Sequence, residues 1–261
     1  MTAAPTPTQS PTDRSKLMIG KGWVQGVAIV VIFGFFIMGL LAFRTCAASM
    51  PIPDKVVTSN GDVLFTGEDI TAGQELFLAR GLMQYGSIVG RGAYLGPDYT
   101  ADYLRRATDF VETQLRDAGV ADPRAAVIEE FRTNRYDEAT KTLTFTDNQA
   151  KAFDSNQQYY AQFFGADSTK NGLAPTIITD PTEIRQLTAF FAWTAWAAAA
   201  NRPGHNYSYT NNWPPEPRVD NGPTADVVVW SVLSLVVLLG GIGALFAIYG
   251  RWSSRVGWRS A

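Results

Sequence analysis

Two long uncharged stretches dominate the hydrophobic pattern of an otherwise polar sequence. Residues 23–43 run for 21 positions without a charge, and residues 227–250 run for 24. A helix rises about 1.5 Å per residue, so about 20 apolar residues cross the hydrocarbon core of a bilayer, which is about 30 Å thick. The first stretch is also longer than the apolar part of a signal peptide, which has about 7–15 residues. The pattern therefore predicts two transmembrane helices, at 23–43 and 227–250.

Basic residues flank both stretches on the sides that face the chain ends. They are Arg14, Lys16 and Lys21 before the first stretch and Arg251, Arg255 and Arg259 after the second. Because such residues stay on the cytoplasmic side, we expect residues 1–22 and 251–261 to be cytoplasmic tails, the first of them disordered. Residues 44–226 then form a domain on the opposite side of the membrane.

The residues between the two stretches carry local signals for one hairpin and several helices. Asn60-Gly61, which separates two short apolar runs, predicts a β-hairpin over 55–66. Apolar spacing and start signals predict the other elements: helices over 67–85, 98–118 and 122–134, a short strand within 136–145, and helices that begin at Thr146-x-x-Gln149 and at Asp180-Pro181. The expected fold class is a mainly α membrane protein, in which two transmembrane helices flank a mostly helical domain with a small β-hairpin.

Two segments of this domain differ from the ordinary amphipathic helices. The first, 86–96, contains four glycines, which indicates an irregular loop whose backbone folds closely around something; they are Gly86, Gly90, Gly92 and Gly96. The second, 187–200, is almost wholly apolar, yet its 14 residues are too few to span a bilayer. It fits either a helix buried in a core or one lying against another membrane-embedded body, and periodicity leaves both open.

Charge and composition exclude several functions. The chain has 22 Lys and Arg and 24 Asp and Glu, and six of the basic residues and one acidic residue lie outside 44–226. The domain therefore carries 16 basic and 23 acidic residues, a balance that disfavours nucleic-acid binding. Cys46 is the only cysteine and His205 the only histidine. The chain thus has no internal disulfide, no Cys-x-x-Cys-His haem attachment and no site of several imidazoles, and we interpret Cys46 as a residue at a helix end and His205 as a surface residue.

Three motifs carry a resemblance to a known family. They are GQELFLARGLMQYGSIVGRGAYLGPDYTADYL at 73–104, LTAFFAWTAWAAAANRPG at 187–204 and YSYTNNWP at 207–214. With the hairpin and both apolar stretches, they resemble the N-terminal region of bacterial quinol-dependent nitric oxide reductase. In that family one polypeptide joins a cytochrome-c-like domain without its haem to a catalytic core related to the haem-copper oxidases. The resemblance implies that 44–226 is a periplasmic, cytochrome-c-like domain held at the bacterial inner membrane.

The resemblance also locates the place of a lost haem. The related two-subunit enzymes carry Cys-x-x-Cys-His shortly before a Gly-x-Gly-Ala-Tyr loop, and this sequence matches that loop at 90–94. The haem motif then falls on 82–86, where the chain has Leu82, Met83, Gln84, Tyr85 and Gly86. Neither the two cysteines nor the axial histidine is present, so the resemblance implies a domain without haem c.

The family's cofactors and partners follow from the same resemblance. The Gly-x-Gly-Ala-Tyr loop helps to bind a calcium ion that bridges the domain and the haem propionates of the core, so Gly92 and Tyr94 are the candidate ligands. Two ligands cannot hold calcium alone. The core oxidises a membrane quinol and reduces nitric oxide to nitrous oxide at a haem b and non-haem iron pair. We expect this chain, which ends at Ala261 after the second apolar stretch, to be inactive without that core.

A two-pass membrane receptor with a periplasmic ligand-sensing domain has the same topology and is the alternative function. A receptor predicts a pocket lined by convergent polar groups and a long cytoplasmic helix after Gly250, and the sequence contains signals for neither. The reductase hypothesis instead predicts that small residues of the two spans pack against neighbouring helices. These residues are Gly34, Gly39, Gly240, Gly241 and Gly243.

Overall fold

The computed structural model of the protein describes residues 21–47 and 49–252. Most of these residues are helical, as the sequence predicts. The helices are α1 (Lys21–Ala47), α2 (Gly67–Ala79), α3 (Tyr99–Asp117), α4 (Pro123–Arg132), α5 (Asp147–Phe164), α6 (Pro181–Ala199) and α7 (Ala225–Trp252). The chain divides into two compact units, residues 1–49 and 50–261.

Six short strands accompany the helices in the second unit. They are β1 (Lys55–Val57), β2 (Val63–Thr66), β3 (Ser87–Ile88), β4 (Arg91–Gly92), β5 (Tyr136–Asp137) and β6 (Thr142–Thr144). The predicted hairpin is confirmed, because β1 and β2 are antiparallel neighbours. The strand predicted within 136–145 is also confirmed, and there β5 and β6 form a second hairpin. Parallel pairing of β1 with β6 joins the two hairpins into one sheet, in the order β2-β1-β6-β5.

The helices begin where short polar side chains can accept hydrogen bonds from free backbone N–H groups. Thr146 accepts from the N–H of Gln149 while the Gln149 side chain accepts from the N–H of Thr146, which confirms the predicted capping box. Asp122 and Asp180 accept from the N–H groups of Ala125 and Thr182, as predicted. One prediction is too long: the helix expected over 67–85 ends at Ala79, and a 3₁₀ turn follows at Leu82–Gln84.

Helix α6 lies at the centre of the domain core and resolves an alternative that periodicity leaves open. Every residue of 187–200 is buried inside the domain, so this apolar segment is a core helix. Helix α2 crosses α6 at Gly73, where an added Cβ would collide with the carbonyl oxygen of Gln186. Helices α3 and α5 also pack against α6. The aromatic rings between these helices are those of Phe77, Tyr99, Tyr160, Phe163, Phe164 and Phe191.

Helix α7 contains the only segment of the described residues that is long and apolar enough to cross a membrane. This segment is Ala225–Ala247, and its apolar side chains are exposed. In α1 the corresponding apolar stretch, Val27–Phe43, is shorter, at 17 residues. Length and composition therefore support the second predicted span, and the first stays a prediction. An added Cβ would meet no atom within 4 Å at any of the small residues Gly34, Gly39, Gly240, Gly241 and Gly243.

A buried tyrosine and a carboxylate form a polar contact between α3 and α5. The hydroxyl of Tyr160 donates to Oδ2 of Asp102 at 3.0 Å, and Asp102 also accepts from Nε of Arg106. Burial, together with the nearby charge of Asp102, raises the pKa of Tyr160 well above its ordinary value. Tyr160 therefore stays protonated and serves as a buried donor to the carboxylate.

Replacing Tyr160 with phenylalanine should destabilise the domain while leaving its shape unchanged. The ring still fills its place, but the domain loses one hydrogen bond to a charged acceptor, which costs about 2 kcal/mol. Chemical denaturation monitored by circular dichroism measures this change in the free energy of unfolding. Tyr159→Phe is the control, because the neighbouring Tyr159 stacks against Arg106 through its ring and not through its hydroxyl. Equal stabilities of the two variants would contradict the assigned role.

Candidate functional site

The candidate site is the glycine-rich loop between the 3₁₀ turn at Leu82–Gln84 and the start of α3. The sequence predicts an irregular loop here. The structure instead shows a tight hairpin, in which β3 pairs antiparallel with β4. Further backbone bonds fix both ends of the loop: the N–H of Ser87 donates to the carbonyl of Pro97, and that of Gly96 to the carbonyl of Tyr85, at 2.6 Å. The loop is thus an ordered platform on the surface of the domain.

Asp98 organises this loop from its base. Its Oδ2 accepts from the hydroxyl of Ser87 at 2.8 Å and from the N–H of Gly90 at 2.6 Å. Its Oδ1 accepts from the N–H of Ala101 at 3.0 Å, which caps the first turn of α3. One carboxylate therefore ties the hairpin to the N-terminus of α3. Sequence reasoning places Asp98 only at the start of the helix, because the contacts with Ser87 and Gly90 depend on how the loop turns back.

A second side chain ties the loop to the core. The hydroxyl of Thr100 accepts from the N–H of Val89 at 3.1 Å and donates to the hydroxyl of Thr194 on α6, also at 3.1 Å. Thr100 and Thr194 are both buried. Sequence reasoning missed both residues, since a threonine inside a helix carries no signal of a partner almost a hundred positions away.

The four glycines of the loop lie against other parts of the protein, as their number in the sequence suggests. An added Cβ at any of them would come too close to a neighbouring group. The groups are the Pro97 carbonyl and the Tyr99 ring at Gly86, the Trp213 indole at Gly90, the Gly86 carbonyl at Gly92 and the Tyr85 ring at Gly96. The loop backbone therefore packs against groups of the same domain, including the rings of Tyr85 and Tyr99 at the base of the loop.

The positions to which the resemblance assigns a haem motif, 82–86, are distributed between the core and the surface. Leu82 is fully buried, Met83 and Gln84 are exposed, and Tyr85 is half-buried. Gly86 is buried, and an added Cβ there would lie 2.5 Å from the carbonyl oxygen of Pro97 and 2.7 Å from the ring of Tyr99. The ring of Tyr99 in turn stacks on Phe191 of α6, with ring centres 4.7 Å apart. Aromatic side chains thus occupy the space beside Gly86.

The two candidate metal ligands lie on the outer side of the loop. Gly92 has a φ of 139°, a conformation that favours glycine, and its Cα faces the backbone of Gly86 and Ser87. Tyr94 is 87 % exposed and the next residue, Leu95, is 82 % exposed. Among the hydrogen bonds of the described residues, none ends on the Tyr94 carbonyl oxygen. A carbonyl in this exposed position fits a ligand for a hard cation such as calcium.

Carboxylates, which calcium also prefers, are not supplied by this loop. Asp98 is the nearest acidic residue in sequence, and both of its oxygens are engaged by donors of the loop and the helix. The described residues contain no group of three or more His, Cys, Asp and Glu that could hold a metal ion. The residues present therefore fit only part of a calcium site, which would need charged ligands from outside the loop.

The remaining residues singled out in the sequence lie elsewhere. His205 is exposed, and its ring lies beside that of Tyr207 with centres 4.7 Å apart. It is the only histidine of the sequence, so it has no second imidazole to share a metal with. The side chain of Cys46 lies outside the part of the chain that the structure describes.

Comparison with known proteins identifies a family for the domain just described. Residues 53–215, more than half of the chain, match the family model of the cytochrome c-like domain of NorB, a subunit of nitric oxide reductase. The match covers the sheet, the glycine-rich loop, α6 and the segment that contains Trp213. Comparison with curated proteins finds no match.

Proposed function

The chain belongs to the NorB cytochrome c-like family of nitric oxide reductase, and from this premise we propose that it is the non-catalytic, haem-less part of a quinol-dependent nitric oxide reductase. Its domain packs onto the haem and iron core through the glycine-rich loop. The observation that carries the proposal is the family match together with the packing at Gly86. The match also favours the reductase over a two-pass membrane receptor.

The absence of haem c is supported by both chemistry and packing. A c-type haem needs two thioether-forming cysteines and an axial histidine, and 82–86 contains none of them. Gly86 stands where the axial histidine would be, and the Tyr99 ring beside it leaves no room for a side chain. Electrons therefore reach the reductase by another route, which the family resemblance assigns to a membrane quinol.

The catalytic metals of the reductase lie outside this chain. Haem b and non-haem iron need several histidine ligands in this enzyme class, and His205 is the only histidine available here. When bound, those metals supply the reduction of two nitric oxide molecules, with two electrons and two protons, to nitrous oxide and water. The role of this chain is to position its domain against the haem and iron core.

The contact with the core is made by Gly92 and Tyr94. These residues would hold a calcium ion through backbone oxygens, and the core would supply the charged ligands that the loop lacks. The exposure of Tyr94 supports this assignment, and so does its carbonyl, which accepts no hydrogen bond from the described residues. The exposed apolar length of α7 supports a transmembrane segment within Ala225–Ala247. The basic residues Arg251, Arg255 and Arg259 after it support a periplasmic location of the domain that precedes it.

Purification from the membranes of the native host tests the proposed function directly. The chain, tagged at its N-terminus and extracted in mild detergent, should bring with it haem b and nitric oxide consumption with nitrous oxide as product. Pyridine haemochrome spectra distinguish haem b from haem c, and we expect haem c to be absent from this chain. A second preparation with Gly92→Val, which forces the loop backbone and its carbonyl oxygens to shift, should contain less calcium and consume nitric oxide more slowly. Tyr94→Phe keeps the Tyr94 carbonyl and is the control that should change neither. A preparation without haem b and without nitric oxide consumption would refute the proposal.

A further inference from the structure

Trp213 packs directly against the glycine-rich loop from outside the hairpin. An added Cβ at Gly90 would collide with Nε1 of the Trp213 indole and come within 3.2 Å of its Cε2. Gly90 has a φ of 72°, so the loop backbone turns its side-chain-free face toward the ring. The indole is 48 % exposed. Its buried half therefore touches the loop, whereas its other half faces outward.

Two buried asparagines fix the chain on either side of Trp213. The side chain of Asn212 accepts from the N–H of Ser208 at 2.8 Å, and the Asn212 N–H donates to the hydroxyl of Ser208 at the same distance. The side chain of Asn221 donates to the carbonyls of Ala198 and Pro214, both at 3.0 Å. Both asparagines are nearly inaccessible, at 2 % and 0 %. The backbone that carries the indole is therefore attached to α6 and cannot shift freely.

The same asparagine that precedes Trp213 also holds the segment leading into α7. The Nδ2 of Asn212 donates to the carbonyl of Gly222 at 2.9 Å, three residues before α7 begins at Ala225. A continuous set of contacts thus runs from the start of α7 through Gly222, Asn212 and Trp213 to Gly90. On the far side of Gly90, its N–H reaches Asp98 at 2.6 Å.

We propose that Trp213 is a positioning residue that holds the glycine-rich loop in the place set by the segment leading into α7. The indole packs on Gly90, and the adjacent Asn212 side chain binds the carbonyl of Gly222, so the loop follows the position of the segment that leads into α7. The importance of this position for a reductase rests on the proposed function, in which the loop contacts the core. The contact itself does not depend on that function.

Hydrogen exchange of the full-length chain in detergent micelles tests the positioning role. The reporters are the amides of Val89 and Gly90, which donate to Thr100 and Asp98. In Trp213→Ala we expect their exchange to become about tenfold faster, because the loop loses its contact with the indole and can open locally. Exchange in α5, which lies outside the loop, should stay as in the unaltered chain.

Two further variants separate positioning from a general loss of stability. Trp213→Phe keeps a flat ring against Gly90 and should restore most of the protection, whereas Trp230→Ala removes an exposed indole from α7 and should leave the loop unchanged. Unchanged exchange of Val89 and Gly90 in Trp213→Ala would overturn the proposal, and so would an equal acceleration in the loop and in α5. The two tests fail independently. A preparation without nitric oxide consumption would refute the proposed function, whereas the exchange rates of Val89 and Gly90 test only the contact with Trp213.

Discussion

Leu82→Cys, Tyr85→Cys and Gly86→His, introduced together, are expected to unfold the domain and not to give it a covalently bound haem. The triple variant recreates Cys-x-x-Cys-His at 82–86, but it does so in a core that is already filled. An imidazole at 86 would collide with the Pro97 carbonyl and with the Tyr99 ring, which is itself stacked on Phe191. The loss of the buried Leu82 side chain adds a cavity. We expect the free energy of unfolding to fall by more than about 4 kcal/mol.

Expression of this variant with a c-type haem maturation system gives two independent measurements. Thermal unfolding by circular dichroism reports the stability, and the pyridine haemochrome spectrum reports thioether-linked haem. Leu82→Cys with Tyr85→Cys, which keeps Gly86, is the control that separates the effect of the cysteines from that of the imidazole. A triple variant with a c-type spectrum and normal stability would show that a haem pocket persists, and it would contradict our account of the aromatic core.

Asp98→Ala is expected to lower the free energy of unfolding by about 4 kcal/mol or more, far more than the loss of an ordinary helix cap. The substitution removes the cap of α3, worth about 1 kcal/mol, and two hydrogen bonds to a charged acceptor, each worth about 1.5–3 kcal/mol. Asp122→Ala is the matched control, because Asp122 caps α4 through a single bond to the N–H of Ala125. Urea denaturation of both variants measures the difference between a cap alone and a cap that also holds the loop.

Loop structure provides the second readout for the same pair of variants. Cleavage by a protease of low specificity within 87–97 should increase in Asp98→Ala and stay at the level of the unaltered chain in Asp122→Ala. If both variants lose the same stability and resist cleavage equally, the bonds from Ser87 and Gly90 to Asp98 contribute nothing, and the platform is held by its backbone alone.

Local signals account for the parts of the fold that the sequence predicts well. Asn60-Gly61, Asp122-Pro123 and Thr146-x-x-Gln149 each act over a few residues, so the turn or cap they indicate does not depend on the rest of the chain. The helix predicted to reach residue 85 illustrates the limit. Apolar spacing continues past Ala79, but Gly81 has a φ of 66° and the backbone leaves the helix.

Contacts between distant residues explain what the sequence does not predict. Residues 187–200 suit a core helix and a membrane-associated helix equally well by composition, and only the packing of α2, α3 and α5 around them decides. The contact of Trp213 with Gly90 likewise cannot be predicted from local sequence, because Gly90 is more than a hundred residues earlier in the chain. The four glycines at 86–96 indicate close approach, yet they do not say which groups approach them.

The central position of α6 has a consequence for how the protein is made. The helix that the core is built around is among the last of the domain to be synthesised, and α2, which packs against it at Gly73, is the first. The sheet is also completed late, because the parallel partner of β1 is β6 at Thr142–Thr144. Such long-range contacts close late in folding. The first hundred residues of the domain therefore leave the ribosome before their core can close, and their apolar surfaces stay open to aggregation until α6 has followed them.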